Sequence, residues 1–199
     1  MEFWKIYRVL DNPLRFALMR DIAASPLHAL NVMQAADRMK LKKSVTSQYL
    51  KQLADAGLLS VERRGSYAIC ASNRLRRSPL ARLQLALADF FAADPDGRRD
   101  AEAFAKIRAL SHHGRIKIVR KIADCEGGIR FGTLAKSTGF PSATLYRQIG
   151  ALIAAEIVMP GEGSDGLRTY SVAPQHDGLF SVLVSLALDR RLDRNSQSL

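Results

Sequence analysis

Apolar positions along this chain fall into short helical stripes separated by turn residues, and the whole succession is written twice. Residue n matches residue n+100 at the start of each half: Trp4 with Phe104, Leu10 with Leu110, Arg15 with Arg115, Arg20 with Arg120, Ile22-Ala23 with Ile122-Ala123. Farther on the offset is 99, pairing Leu50 with Ile149, Leu53 with Leu152 and Leu58 with Ile157. Each copy predicts two helices (4–10 and 14–24 in the first), split by Asp11-Asn12-Pro13 or by Ser111-His112-His113-Gly114. A short extended piece follows, then a short helix (33–39; 132–137), a tight turn (40–43; 138–141) and a longer helix (44–56; 142–155). Gly57 is a helix-stop signal, which its counterpart Glu156 lacks.

Two β-prone segments close each copy, 58–62 with 66–70 and 157–159 with 167–172. Helix, helix, turn, helix, hairpin is the order of a winged helix-turn-helix. The expected fold is mainly α with small β-hairpin wings: two tandem winged helix-turn-helix domains, each followed by an apolar helix (79–92; 179–192). The expected organisation is a first domain over 1–78, a connecting helix and linker over 79–100, a second domain over 101–175, and a packing helix and tail over 176–199. The two apolar helices need cover, and either pack on each other as an intramolecular pseudo-dimer or pair with a second chain as a homodimer.

Charge narrows the function. The 199 residues carry 30 Lys and Arg against 19 Asp and Glu, a net +11, which favours a polyanionic partner, nucleic acid or an anionic membrane surface. No apolar run approaches the roughly 18 residues of a membrane span, and Met1–Lys5 lacks the order of a signal peptide. The expected setting is the cytoplasm. Two cysteines, Cys70 and Cys125, make no disulfide framework. His112, His113 and Cys125 lack the spacing of a metal-ligand set, and no phosphate loop or nucleophile elbow is present. Neither a metal, a cofactor nor catalysis is expected.

In a helix-turn-helix the second helix enters the major groove, its N-terminal residues at the base edges. In the first copy that surface begins with Lys40, Lys42 and Lys43, suited to phosphates, followed by Ser44, Ser47 and Gln48, of which Gln can read adenine bidentately. Tyr49 and Lys51 flank them, and Arg63-Arg64 at the hairpin tip suits the minor groove or its phosphates. The second copy offers Ser142, Thr144, Tyr146, Arg147 and Gln148, and its hairpin sets Glu162 and Asp165 against Arg168. Residues 1–100 carry 17 of the 30 basic residues and 10 of the 19 acids, leaving 13 and 9 for the rest. The first copy is therefore the expected anchor on double-stranded DNA. The second either reads another half-site weakly or serves as a partner or effector domain.

The runs Leu30-Asn31-Val32, Ala35–Met39 and Ser47–Leu53 with Gly57-Leu58-Leu59 resemble the ArsR-type winged-helix repressors. Leu10–Arg15, Leu110–Arg115 and, more loosely, Phe131–Val158 are similar to the same family. The resemblance covers residues 4–72 and 104–173 and implies a sequence-specific transcriptional regulator, a repressor acting by occlusion. Typical members carry one winged helix and dimerise, whereas this chain carries two. The family's metal sensors place a cysteine pair on the helix before the recognition helix; Met33–Met39 and Gly132–Ser137 contain none, so metal sensing does not carry over. A protein-binding scaffold and an architectural or replication-initiator DNA binder share the same pattern.

Overall fold

The computed structural model describes residues 3–25, 29–64, 67–72 and 79–190. The first half runs α1 (Phe3–Leu10), α2 (Pro13–Ala24), β1 (Ala29–Asn31), α3 (Val32–Met39), α4 (Lys43–Asp55), β2 (Leu59–Arg64), β3 (Tyr67–Ser72) and α5 (Pro79–Ala93). The second repeats it as α6 (Asp100–Leu110), α7 (His113–Ala123), β4 (Ile129–Arg130), α8 (Phe131–Thr138), α9 (Ser142–Ala154), β5 (Val158–Glu162), β6 (Arg168–Val172) and α10 (Gly178–Leu188). Among the described residues the chain is mainly helical, with two small antiparallel sheets ordered β1-β3-β2 and β4-β6-β5. Most elements lie within two or three residues of their expected bounds. The last helix is shorter than expected: it stops at Leu188, and residues 191–192 lie outside the described residues. No helix among the described residues is long and apolar enough to cross a membrane.

The chain forms two compact units, one of Val9–Arg99 and one of Asp100–Leu199 together with Met1–Arg8. By sequence α1 belongs to the first repeat, yet most of it is built into the second unit. There the buried Tyr7 hydroxyl donates to the Leu183 carbonyl of α10 at 2.8 Å. Burial holds that phenol protonated, with Arg120 pulling weakly the other way.

Each unit is organised around its second helix. In the first, α2 buries Phe16, Leu18, Met19 and Ile22; in the second, α7 buries Ile116, Ile118, Val119 and Ile122, the same four positions. Helix α2 packs on α3, α4, β3 and α5, and α7 packs on α8, α9, β6 and α10. Much of the apolar face of each closing helix is thus buried within its own unit, while Leu85 of α5 stays 65% exposed. Phe90 and Phe91 of α5 meet Phe16, while Leu179, Phe180, Leu183 and Leu186 are buried on α10. An arginine locks each closing helix at its end. Arg20 donates to the Asp94 carbonyl just after α5, and Arg120 donates to the Ala187 carbonyl of α10 at 2.7 Å.

The segment expected as a linker is tied down. The Asp94 carboxylate accepts from the backbone N–H groups of Arg98 and Arg99 at 3.1 and 2.7 Å. The Arg99 bond leads in holding this acid below its usual range. A depressed carboxylate stabilises the fold while ionised, and that contribution is lost as pH falls through the folded-state value. Urea unfolding of Asp94→Asn between about pH 7 and pH 3 is therefore expected to show the greatest loss against wild type at neutral pH and the smallest in acid. A loss that does not shrink in acid would mean the ionised carboxylate is not the stabilising species. Asp21 acts oppositely. Burial raises it, Arg38 and Arg20 offset this in part, and its ionisation is a cost that acid removes.

Two left-handed positions recur at equivalent places. Lys40 (φ 52) and Gly139 (φ 72) make the turn between the short and long helices of each unit. Gly57 (φ 73) and Glu156 (φ 54) follow α4 and α9. Lacking glycine's signal, Glu156 still stops its helix, because the strand that follows and its neighbours hold the backbone there. Its carbonyl accepts from Gln175, and its carboxylate lies 3.6 Å from the ammonium of Lys106. A Cβ at Gly139 would meet nothing within 4 Å, so Gly139→Ala isolates the backbone term. It is expected to cost about 1–2 kcal/mol, while Lys40→Gly stabilises by up to about 1 kcal/mol. Thermal melts of both variants check the pair.

Candidate nucleic-acid interface

The lysine cluster is presented by the turn and first coils of α4. Lys40 closes α3 in the left-handed conformation, its N–H and that of Leu41 donating to Asp37 and Ala36 carbonyls. Lys42 then stands at the N-cap of α4 with no side-chain cap, leaving the positive end of the helix dipole beside three ammonium groups. Thr46, Leu50 and Leu53 turn into the core, which places Lys43, Ser44, Ser47, Gln48 and Lys51 on the exposed face. Among the described residues, the side chains of Lys40, Lys42, Lys43, Ser44, Ser47, Gln48 and Lys51 make no hydrogen bond or ion pair with the rest of the chain. Tyr49, counted with them from sequence, is half-buried with the Arg15 guanidinium 6.0 Å from its ring centre.

Arg15 itself donates to the Val9 carbonyl at the end of α1 and to Gln52 of α4, which fixes the pitch of α4 on α2. Its repeat partner Arg115 donates to the Arg108 carbonyl and to Gln148 Oε1 at 2.8 Å. Gln148, expected at the reading surface, is thus half-buried and engaged in placing α9. Sequence matching of Arg15 with Arg115 carried that signal without showing what the arginines hold.

Helix α9 turns Leu145, Ile149 and Leu152 inward and exposes Ser142, Ala143, Tyr146, Arg147 and Gly150, position for position with α4. Thr144 is half-buried. Where α4 has Lys43 and Lys51, α9 has Ser142 and Gly150, so one cation, Arg147, remains on that face. Sequence reasoning named Tyr146 but missed its companion. Phe131, first residue of α8, stacks on the Tyr146 ring at 4.0 Å between centroids and 21° between planes.

The hairpins differ as well. In the first, Arg63 and Arg64 pair with Ala68 and Tyr67 at the strand ends, and the side chains of this pair lie outside what is described. In the second, Arg168 lies across from Glu162, and Asp165 is ion-paired with Arg130. Met159 and Leu167 are 43% and 53% exposed there.

Lys106 is a further buried cation that sequence reasoning missed. It donates to the Ala155 carbonyl at 3.1 Å and lies 4.9 Å from the Phe180 ring centre, where the first repeat has Ile6. Its partners give it a structural part in seating the end of α9. Cys70 is buried, and burial pushes its thiol up, so it packs as a small apolar group. Among the described residues no group of three or more His, Cys, Asp and Glu side chains is placed to hold a metal ion. No protein-family model matches this sequence, and no curated protein matches it either.

Proposed function

We propose that the chain is a tandem winged helix-turn-helix protein, similar to the ArsR-type repressors, that binds double-stranded DNA sequence-specifically and regulates transcription by occlusion. The observation that carries this reading is the exposed, unengaged row Lys43, Ser44, Ser47, Gln48 and Lys51 behind the Lys40–Lys42 turn. Such a row combines phosphate anchors with groups able to read base edges, on a helix of width suited to the major groove. The element order, the outer-strand hairpin beside the long helix and the net +11 support it. The first unit anchors the duplex, and the second adds weaker contacts. Nothing in this reading calls for a cofactor, a metal or catalysis.

The test is retention of fragmented genomic DNA by purified protein at about 150 mM salt, followed by sequencing. A few enriched promoter fragments with a shared motif support a regulator. Uniform retention replaces it with an architectural binder. The exposed Met159 and Leu167 beside Glu162 and Asp165 favour a second reading, a protein-binding scaffold. A partner that stays bound after nuclease treatment, with no DNA retained, would establish that reading instead.

A further inference from the structure

Two stacked aromatic rings on an outer helical surface call for a use. Tyr146 is 60% exposed, and Phe131 holds its ring from one side. The fold does not require the pair. In the first unit the same positions, first of the short helix and fifth of the long one, are Val32 and Ser47. Aromatic area left facing water forgoes burial that a smaller residue would not miss.

The surroundings say what the ring meets. Neither α8 nor α9 contains an acid, and their cations Lys136 and Arg147 are exposed. This suits a polyanion better than a protein surface of mixed charge. Gln148, which could read adenine by paired hydrogen bonds, gives its side-chain oxygen to Arg115. Beside Arg147, which suits guanine or a phosphate, this face offers a braced aromatic ring, and the apolar feature a base presents in the major groove is the thymine 5-methyl group.

We propose that Tyr146, braced by Phe131, reads thymine in the major groove through that methyl group. The second unit is then a reader of a half-site by apolar contact, where the first reads by hydrogen bonds. Phe131 is a positioning residue: it limits the swing of the Tyr146 ring, so that little ordering is needed on binding.

This inference rests on the duplex-DNA reading above, and the experiment separates the two. Wild type is used to select sites from random duplexes, and the selected duplex is remade with 2′-deoxyuridine in place of thymidine, which removes only the methyl groups. Wild type is expected to lose about fourfold in affinity for each methyl contacted, the worth of one buried carbon. Tyr146→Ala is expected to bind the thymine duplex more weakly by that same factor and to respond no further to uracil. Tyr146→Phe, which keeps the ring, retains the thymine preference, and Phe131→Leu weakens it. Tyr146 is exposed, so its variants keep their fold; Phe131 is half-buried, and the fold of Phe131→Leu is checked by circular dichroism alongside them. Equal binding of wild type to both duplexes overturns the inference, as does a Tyr146→Ala protein still as sensitive to uracil as wild type. In either case a loss of affinity on Lys43→Ala leaves the DNA-binding reading standing. Tyr146→Ala that binds both duplexes as wild type does but sheds a protein from nuclease-treated pull-downs assigns the rings to a protein partner and also overturns it. Failure of wild type to hold any duplex removes both readings.

Discussion

Replacing the lysine cluster, as Lys40→Gly with Lys42→Ala and Lys43→Ala, is expected to weaken duplex binding roughly hundredfold at about 150 mM salt, on specific and random DNA alike. Each phosphate contact releases condensed counterions, and the plot of log affinity against log salt flattens by about 0.9 for every contact removed. Three contacts therefore shift the slope by close to three, a change no base-reading residue produces. The three side chains make no internal ion pairs among the described residues, so their removal leaves folding energetics largely alone, and Lys40→Gly relieves a left-handed lysine. Gln48→Ala gives the contrasting result: an unchanged slope and a narrowed gap between specific and random sequence. Fluorescence anisotropy across a salt series measures both. A slope that stays put in the triple variant would rule out the lysine row as a phosphate-contacting face.

Phe16→Ala is expected to be the most damaging single change in the Val9–Arg99 unit. The ring is fully buried, meets Phe91 edge-on at 5.0 Å and Phe90 at 6.5 Å, and sits where α2 and α5 close on each other. The Arg20 guanidinium, 4.8 Å from the Phe91 ring centre, closes the cluster on the solvent side. Truncation leaves a large void among stiff rings that cannot collapse into it, at a cost of about 3–5 kcal/mol. Folded domains are commonly stable by only about 5–15 kcal/mol. For a unit of this size the melting temperature falls by roughly 15–30 °C. Because α4 packs on α2, duplex binding should vanish over the same temperature range, with the salt slope unchanged below it. A shift under about 5 °C would show that the aromatic cluster is not the keystone of this unit.

The repeat made much of this fold legible. Burial periods repeat at fixed offsets, and the four buried positions of α2 recur on α7. The matched arginines hold equivalent places in the structure, though the repeat alone does not say what they bond: Arg15 and Arg115 set the long helices, and Arg20 and Arg120 end the closing ones. A periodic pattern says which face of a helix is covered but not by what. Thus α1 reads as part of the first repeat while Tyr7 bonds to α10. Local preference also fails where neighbours dictate the backbone, as at Glu156, or where a cation is taken inside by a helix end and a ring, as at Lys106. Within the candidate interface, α4 was readable from its lysines. The Phe131–Tyr146 stack was not, because its members are 15 residues apart on different helices.

The Tyr7–Leu183 bond spans 176 positions of sequence, and proteins are made from the N-terminus onward. At about 5–20 residues per second, on the order of ten seconds or more separates the synthesis of that tyrosine from that of its acceptor. Residues Val9–Arg99 can fold in the interval, since a domain of that size typically folds well within a second or so. The apolar side of the opening helix has no such early shelter. Phe3, Ile6 and Tyr7 leave the ribosome before the residues that bury them exist, so this apolar face stays open to water for the length of that interval.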